Sequence, residues 1–516
     1  MNLMMILEMA AGAMGDRVAF QNGDDRLTYQ QLFDAAGALA ASLDDGRTKH
    51  LAMLDVSTLA LPIGVFGASW AGIPFAPLNY RLTDPELDAL IAQLNPGCLV
   101  TDAARAARLG AKLVPTADGE YVAVGTREAL LETTRAPGAR LREAPWSMDP
   151  DETAILLFTS GTTGAPKAAV LRQKHLVSYV LGTVEFMSAD EADASLNCVP
   201  PYHVAGMAAI ASSVYSGRRV VQLANFSAET WLETARREAI THAFVVPTML
   251  ARIVDALAGQ SDAGLPSLRA LSYGGGKMPL SVIEKAMKLF PQTDFTNAYG
   301  LTETSSTIAL LGPQDHRDAF ASADEKARRR LVSVGQPLPT VEVKVCDAET
   351  GEALPPGEHG LIHVRGEQVS GEYRGRGSQL DAEGWFNTRD GGYLDEAGFL
   401  FLEGRMDDVI VRGGENMSPG EIEDVLLTHE GVIDACVVGV PDEQWGEAVA
   451  AVVVLSPNAA QSGAGKASVA ELQQWVKDRL RSSRTPERIE FWTELPYTET
   501  GKLLRRKVRE ALRETG

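Results

Sequence analysis

The chain has 516 residues, enough for three or four structural units at roughly 150 residues each. Its 45% apolar and 22% charged residues make an ordinary globular composition and exclude a disordered tail protein. With 48 Lys and Arg against 68 Asp and Glu, the formal charge of -20 argues against nucleic-acid binding, so an anionic ligand must be held locally by backbone amides, a metal ion or a few placed bases.

Residues 1–14 are apolar, but the first basic residue is Arg17 and Glu8 interrupts the run, so the charged start of a secretory signal is missing. The pattern predicts a helix over 29–43 and a strand over 51–56. Residues 59–78 have the length of a membrane span. They also contain Pro62, Pro74, Pro77, Gly64, Gly67 and Gly72, which predict a buried helix turning into a short strand in a soluble protein. A helix is predicted over 86–94.

From residue 150 onward, strands are predicted at 155–158, 220–223, 243–246, 268–273 and 294–298, and helices at 171–187, 228–239, 249–257 and 280–290. That alternation implies a parallel sheet with helices on its faces. Near residue 330 the character changes. Short runs at 341–345, 360–364 and 399–402, separated by Gly, Pro and acidic turns, predict a small antiparallel or barrel-like subdomain. A last unit starts at Asp407, with helices at 421–427 and 470–480, strands at 435–440 and 448–454, and a solvated loop over 457–468. Cys98, Cys198, Cys346 and Cys436 lie far apart without a CxxC pair, which argues against a disulfide scaffold or zinc site and for a reducing cytoplasm.

The most specific stretch follows the strand at 155–158: Thr159, Ser160, Gly161, Thr162, Thr163, Gly164, Ala165, Pro166 and Lys167. Small hydroxyl and Gly residues let backbone close around phosphate oxygens, and Lys167 adds positive charge. The spacing is not that of a P-loop, because Gly161 and Gly164 are three apart and Ala165 and Pro166 precede the lysine. Gly274, Gly275 and Gly276 sit between a strand and a helix, and Asp294 lies where a dinucleotide-binding acid would. The third glycine of that fingerprint would fall on Pro279, which disfavours a nicotinamide site.

Five further blocks follow the Ser/Thr/Gly loop: Tyr299 to Glu303, Trp385 to Asp390, Gly404 to Asp408, Gly413 to Asn416 and Thr500 to Lys502. In this order they make the chain resemble, over nearly its whole length, the adenylate-forming superfamily of acyl- and aryl-CoA ligases, luciferases and nonribosomal peptide adenylation domains. The resemblance implies an α/β fold: a large N-terminal domain, 1–406, of parallel-rich sheets flanked by helices plus the small barrel-like subdomain, and a small mobile α+β C-terminal domain, 407–516. It implies that Thr159 to Gly164 and Lys167 hold phosphate, and that Gly274 to Gly276, Asn297, Ala298, Tyr299 and Gly300 line the adenine and acyl pocket, with Tyr299 stacking on adenine. Asp390 and Arg405 reach the ribose. Thr302 supplies a hydroxyl to phosphate, and Glu303 with Thr159 holds Mg²⁺. His203 flanks the acyl carboxylate, and Lys502 bridges carboxylate and phosphate. The resemblance also implies that Asp407 is the hinge that exchanges Lys502 for Gly413 and Gly414 beside the pantetheine tunnel.

The function implied is an ATP-dependent carboxylic acid–CoA ligase working through an acyl-adenylate, with ATP, Mg²⁺ and coenzyme A as cofactors. The alternative is an acyl-AMP ligase loading a phosphopantetheinyl carrier protein. Few charges at 204–207, 244–246 and 273–277 point to a bulky apolar acid of fatty, aryl or polycyclic type. The expected partners are that acid and coenzyme A, with no nucleic acid and no transmembrane segment; a homodimer is left open. Three positions depart from the family pattern: Ala168 follows Lys167 in place of Gly, Arg389 replaces a Gly before Asp390, and Lys277 stands where Pro is frequent and is expected to alter the acyl pocket.

Overall fold

The computed structural model describes residues 1–110, 122–159, 167–413, 415–442, 444–456, 467–498 and 503–514. Two large sheets dominate. The first has nine strands, and its parallel run passes in space from Asp294–Leu301 through Ala270–Gly274, His242–Val245, Ala194–Asn197 and Arg219–Gln222 to Val18–Asn22. The second has eight, with Thr153–Thr159, Phe75–Pro77, Leu51–Leu54, Gly97–Thr101 and Val122–Thr126 parallel to one another.

Between the sheets lie helices Leu3–Met14, Tyr29–Leu43, Ala60–Ala71, Gln173–Thr183 and Val204–Ser216, whose buried faces join strand residues such as Phe20, Met53, Phe75 and Ile155 in one core. Burying a side chain such as Phe66 or Phe75 contributes about 1.5–3 kcal/mol, which is why these helices stay between the sheets. The run at 59–78 is the buried helix Ala60–Ala71 leading into strand Phe75–Pro77, and among the described residues no helix is long and apolar enough to cross a membrane. Helix Tyr29–Leu43 starts on a capping box in which Thr28 and Gln31 satisfy each other's backbone amides at 2.9 and 3.2 Å.

Two of the elements that differ from the sequence expectation bear on the site. Residues 171 and 172 end strand Lys167–Arg172, and the helix begins at Gln173. That strand is buried on both faces, and a short continuous apolar run reads the same as a buried helical segment. Strand Phe386–Leu394, the longest of the four-stranded antiparallel sheet formed with Glu342–Cys346, Gly360–Arg365 and Leu400–Arg405, has no apolar alternation to announce it. One of its glycines is required by packing: a Cβ at Gly392 would overlap the Phe401 carbonyl.

The chain leaves this sheet across the one-turn helix Met406–Asp408 and enters a five-stranded sheet of Glu415–Met417, Ile410–Arg412, Gly446–Leu455, Val432–Asp442 and Arg488–Trp492. Helices Pro419–Leu427, Val469–Lys477 and Arg505–Glu514 accompany it. The loop expected over 457–468 falls largely outside the described residues.

Candidate active site

Strand Asp294–Leu301 carries Asn297, Ala298, Tyr299 and Gly300 along the edge of the parallel run and ends at the one-turn helix Thr302–Thr304. Tyr299 is buried, and its hydroxyl donates to Asp390 Oδ2 at 2.6 Å. Arg405 faces Asp390 across the antiparallel pair, its Nη1 3.3 Å from Oδ1. Burial, and then the Asp390 charge, hold the Tyr299 hydroxyl well above its ordinary pKa, so it remains a donor. Two residues distant in sequence, Tyr299 and Arg405, thus converge on the carboxylate of a third, Asp390.

Glycine is required at two turns here. A Cβ on Gly300 would overlap the Ser306 carbonyl, and one on Gly274 would overlap that of Ala298. Gly275 has φ +81°. Ser305 and Ser306, at φ 56° and 113°, hold left-handed backbone directly after Thr302–Thr304, strain of about 1–3 kcal/mol each that the surrounding structure must hold. The dinucleotide alternative fails on geometry: Asp294 opens its strand, opposite Ala270, whereas Gly274 closes the neighbouring one, and Asp294 is paired with Arg317.

Thr159 and Lys167 stand opposite each other where strands Thr153–Thr159 and Lys167–Arg172 meet, with the Thr159 hydroxyl 3.4 Å from the Lys167 carbonyl. They bracket the Ser/Thr/Gly loop. Ser160, Gly161, Thr162, Thr163 and Gly164 lie outside the described residues, as do Gly414 and Lys502. Lys167 Nζ sits 5.7 Å from the ring centroid of Tyr373, and the Tyr373 hydroxyl donates to Glu303 Oε1. Tyr373 is a site residue that the sequence did not announce.

His203 caps the start of helix Val204–Ser216, its ring 4.6 Å from that of Tyr202, which in turn lies 5.4 Å from Tyr80. One expectation for the acyl pocket, that of Tyr273, is corrected. Tyr273 points into the opposite core, where its hydroxyl meets His316 Nε2 at 2.9 Å. Lys277 reaches away to Asp424 on helix Pro419–Leu427.

Asp407 lies in the turn between the two sheets. Gly413 has φ +57°, donates its amide to the Trp445 carbonyl at 2.8 Å, and leaves no room for a Cβ, which would come 2.8 Å from the Trp445 ring. Charge alone reads Arg505 as part of a solvated basic tail. Instead its guanidinium is buried, clasping both carboxylate oxygens of Glu423, donating to the Val437 carbonyl at 2.9 Å and lying 3.5 Å from Asp408. It anchors the helix that begins three residues after Lys502 to the turn that holds Asp407.

The family model described as AMP-binding enzyme matches residues 7–374, and that of the AMP-binding enzyme C-terminal domain matches 421–502. The chain belongs to the AMP-binding enzymes. This AMP-binding enzyme is 32% identical over 509 residues to 2-succinylbenzoate–CoA ligase of Bacillus licheniformis, covering 97% of this chain and 98% of that protein. It is 31% identical over 498 residues to the fatty acid–[acyl-carrier-protein] ligase ScoC of Streptomyces coeruleorubidus, covering 94% and 91%. Among solved structures, o-succinylbenzoate CoA synthetase from Bacillus subtilis in complex with its acyl-adenylate intermediate superposes with a TM-score of 0.81 at 28% identity, covering 98% of this chain and 97% of that one. The same Bacillus enzyme with ATP and magnesium ion gives 0.80 at 28% identity, covering 97% and 98%.

Proposed function

We propose that this AMP-binding enzyme is a carboxylic acid–CoA ligase that uses ATP and passes through an acyl-adenylate, releasing pyrophosphate and then AMP. The observation that carries this reading is the convergence of Tyr299, Asp390 and Arg405 beside Glu303 and Lys167. An aromatic face and a carboxylate suit a nucleoside, and a second carboxylate with a lysine suits its phosphates. The Bacillus relatives, a CoA ligase by name and a synthetase solved with its acyl-adenylate, support the same chemistry.

A carboxylate is a poor electrophile, so it is activated first: one of its oxygens attacks the α-phosphorus of ATP and pyrophosphate leaves. Tyr299 and Asp390 hold the nucleoside, and Arg405 keeps Asp390 oriented. Lys167 and the loop after Thr159 meet the phosphates, Thr302 adds a hydroxyl, and Lys502 neutralises the charge that develops between carboxylate and phosphate. His203 positions the acid's carboxylate.

Glu303 fits Mg²⁺, a hard ion that takes one or two protein carboxylates and fills its remaining positions with phosphate and water oxygens. Its carboxylate is fixed by Tyr373, and among the described residues no cluster of three or more His, Cys, Asp or Glu competes as a protein-only site. Thr159 is the proposed second protein oxygen. When bound, the ion neutralises phosphate charge.

In the second half-reaction a thiol attacks the adenylate carbonyl and AMP departs. We divide the chain at 406/407 and take Asp407 as the pivot about which the C-terminal domain withdraws Lys502 and brings Gly413 and Gly414 to the pantetheine path. The acid is bulky and apolar, of fatty, aryl or polycyclic type, seated against Val204, Met207, Phe244 and Val246. Coenzyme A is the acceptor; the carrier-protein alternative is kept because the Streptomyces relative is an acyl-carrier-protein ligase. Four free thiols fit a reducing cytoplasm.

The test is pyrophosphate release over a panel of carboxylic acids, with coenzyme A or a phosphopantetheinyl carrier. We expect release to depend on the acid and thioester to appear on coenzyme A. Thioester on the carrier alone would favour the alternative, and no release with any acid would overturn the reading.

A further inference from the structure

Residues 368–373 form a clamp around Glu303. The amides of Ser370 and Gly371 donate to the Glu303 carbonyl at 2.8 and 3.1 Å, and the buried Gln368 donates Nε2 to the carbonyls of Thr304 and Thr307 at 3.1 and 2.7 Å. Gly371 has φ +50°, and a Cβ there would press on Leu380 and Phe386, so the clamp turns at a position that only glycine fills without strain. It ends in the two-residue strand Glu372–Tyr373. This strand is stapled to the phosphate-loop hairpin by the pairing of Tyr373 with Ala169, by the Arg374 amide on the Ala168 carbonyl at 2.9 Å, and by two parallel 2.8 Å bonds between Arg172 and Glu372. Tyr373 is where the two supports meet. Its ring lies 5.7 Å from Lys167 Nζ, and its hydroxyl grips Glu303 Oε1.

We infer that Tyr373 is a positioning residue that fixes the Glu303 carboxylate relative to the Lys167 ammonium, so that the pair receives a metal-bound triphosphate without rearrangement. The inference rests on the ATP reading above. Lys167 opens a strand of the eight-stranded sheet and Glu303 lies in the one-turn helix between two strands of the nine-stranded one, and without a shared contact each side chain is free to turn independently. A hydroxyl on one oxygen leaves the carboxylate a single orientation. The ring beneath the ammonium adds attraction without removing its charge, unlike a third carboxylate, which would neutralise it.

The experiment is calorimetric binding of the non-hydrolysable analogue α,β-methylene-ATP to the full-length protein, with and without Mn²⁺, alongside the electron paramagnetic resonance of the bound Mn²⁺. Tyr373→Phe keeps the ring and loses the hydroxyl. It is expected to weaken the Mn²⁺-dependent part of the binding about tenfold, the equivalent of one good hydrogen bond to a charged group, while metal-free binding and the melting temperature stay at wild-type values. Tyr373→Leu, which loses the ring as well, is expected to weaken metal-free binding too. Wild-type Mn²⁺-dependent affinity in Tyr373→Phe, or equal weakening with and without the metal, would overturn the positioning role. A wild-type protein that binds no nucleotide under either condition would overturn the ATP reading and this inference with it.

Discussion

Lys277, in the turn after strand Ala270–Gly274, is ion-paired with Asp424 on helix Pro419–Leu427, so the Gly-rich turn is tied directly to the C-terminal sheet and its helices. Both side chains are about half exposed, and such a pair contributes well under about 1 kcal/mol. It is therefore weak enough to break in the domain rotation proposed above and strong enough to bias which arrangement is populated. Lys277→Ala should leave the melting temperature nearly unchanged and alter the ratio of adenylation to thioester formation about twofold. The exchange of charges, Lys277→Asp with Asp424→Lys, should restore the ratio. Half-reaction rates indistinguishable from wild type in Lys277→Ala would remove the pair from the rotation.

Lys502 stands three residues before the helix Arg505–Glu514, which Arg505 ties to Glu423. Lys502→Ala should slow adenylate formation about 10²–10³-fold, the scale of losing one preorganised charge at the reacting phosphate. Thioester formation from a supplied acyl-adenylate should stay within a fewfold of wild type. Equal loss in both half-reactions would deny the lysine a step-specific role.

Asp407 sits in the turn through which the chain passes from one sheet to the other. Proline there fixes φ near -65° and removes an amide donor, which should trap a single arrangement. Asp407→Pro is expected to retain one half-reaction, adenylation, and to lose most of the other. Wild-type rates for both in a folded variant would move the pivot elsewhere.

Arg389 holds φ 61°, the left-handed backbone that glycine adopts without a steric penalty. The departure from the family's glycine is thus a backbone cost beside Asp390, with the arginine side chain directed to solvent. Arg389→Gly should be more stable to urea than Arg389→Ala by about 1 kcal/mol, and both should adenylate, because Asp390 keeps its bonds to Tyr299 and Arg405. Equal stability of the two variants would mean that the strain is absent.

Much of this site could be read from the chain because its parts are contiguous. Asn297 to Glu303 is one strand end and one turn, and the glycines that permit it are visible as glycines. Tyr373 could not be read that way. A two-residue strand has no periodicity, and its contact with Glu303 spans 70 residues of sequence. Arg505 was hidden for another reason: it stands beside Arg506 and Lys507, which are exposed, and only its buried partner Glu423 distinguishes it. Strand Phe386–Leu394 was obscured by the polar residues and glycines that place Asp390 in the site.

In the proposed reaction the acid is activated on the α-phosphorus of ATP. The most direct measurement is turnover with an acid labelled in both carboxylate oxygens with ¹⁸O, followed by mass analysis of the products. Attack by the carboxylate puts one labelled oxygen into AMP when the thiol displaces the adenylate, and leaves pyrophosphate unlabelled. Unlabelled AMP, or ¹⁸O in orthophosphate as from an acyl phosphate, would contradict the account.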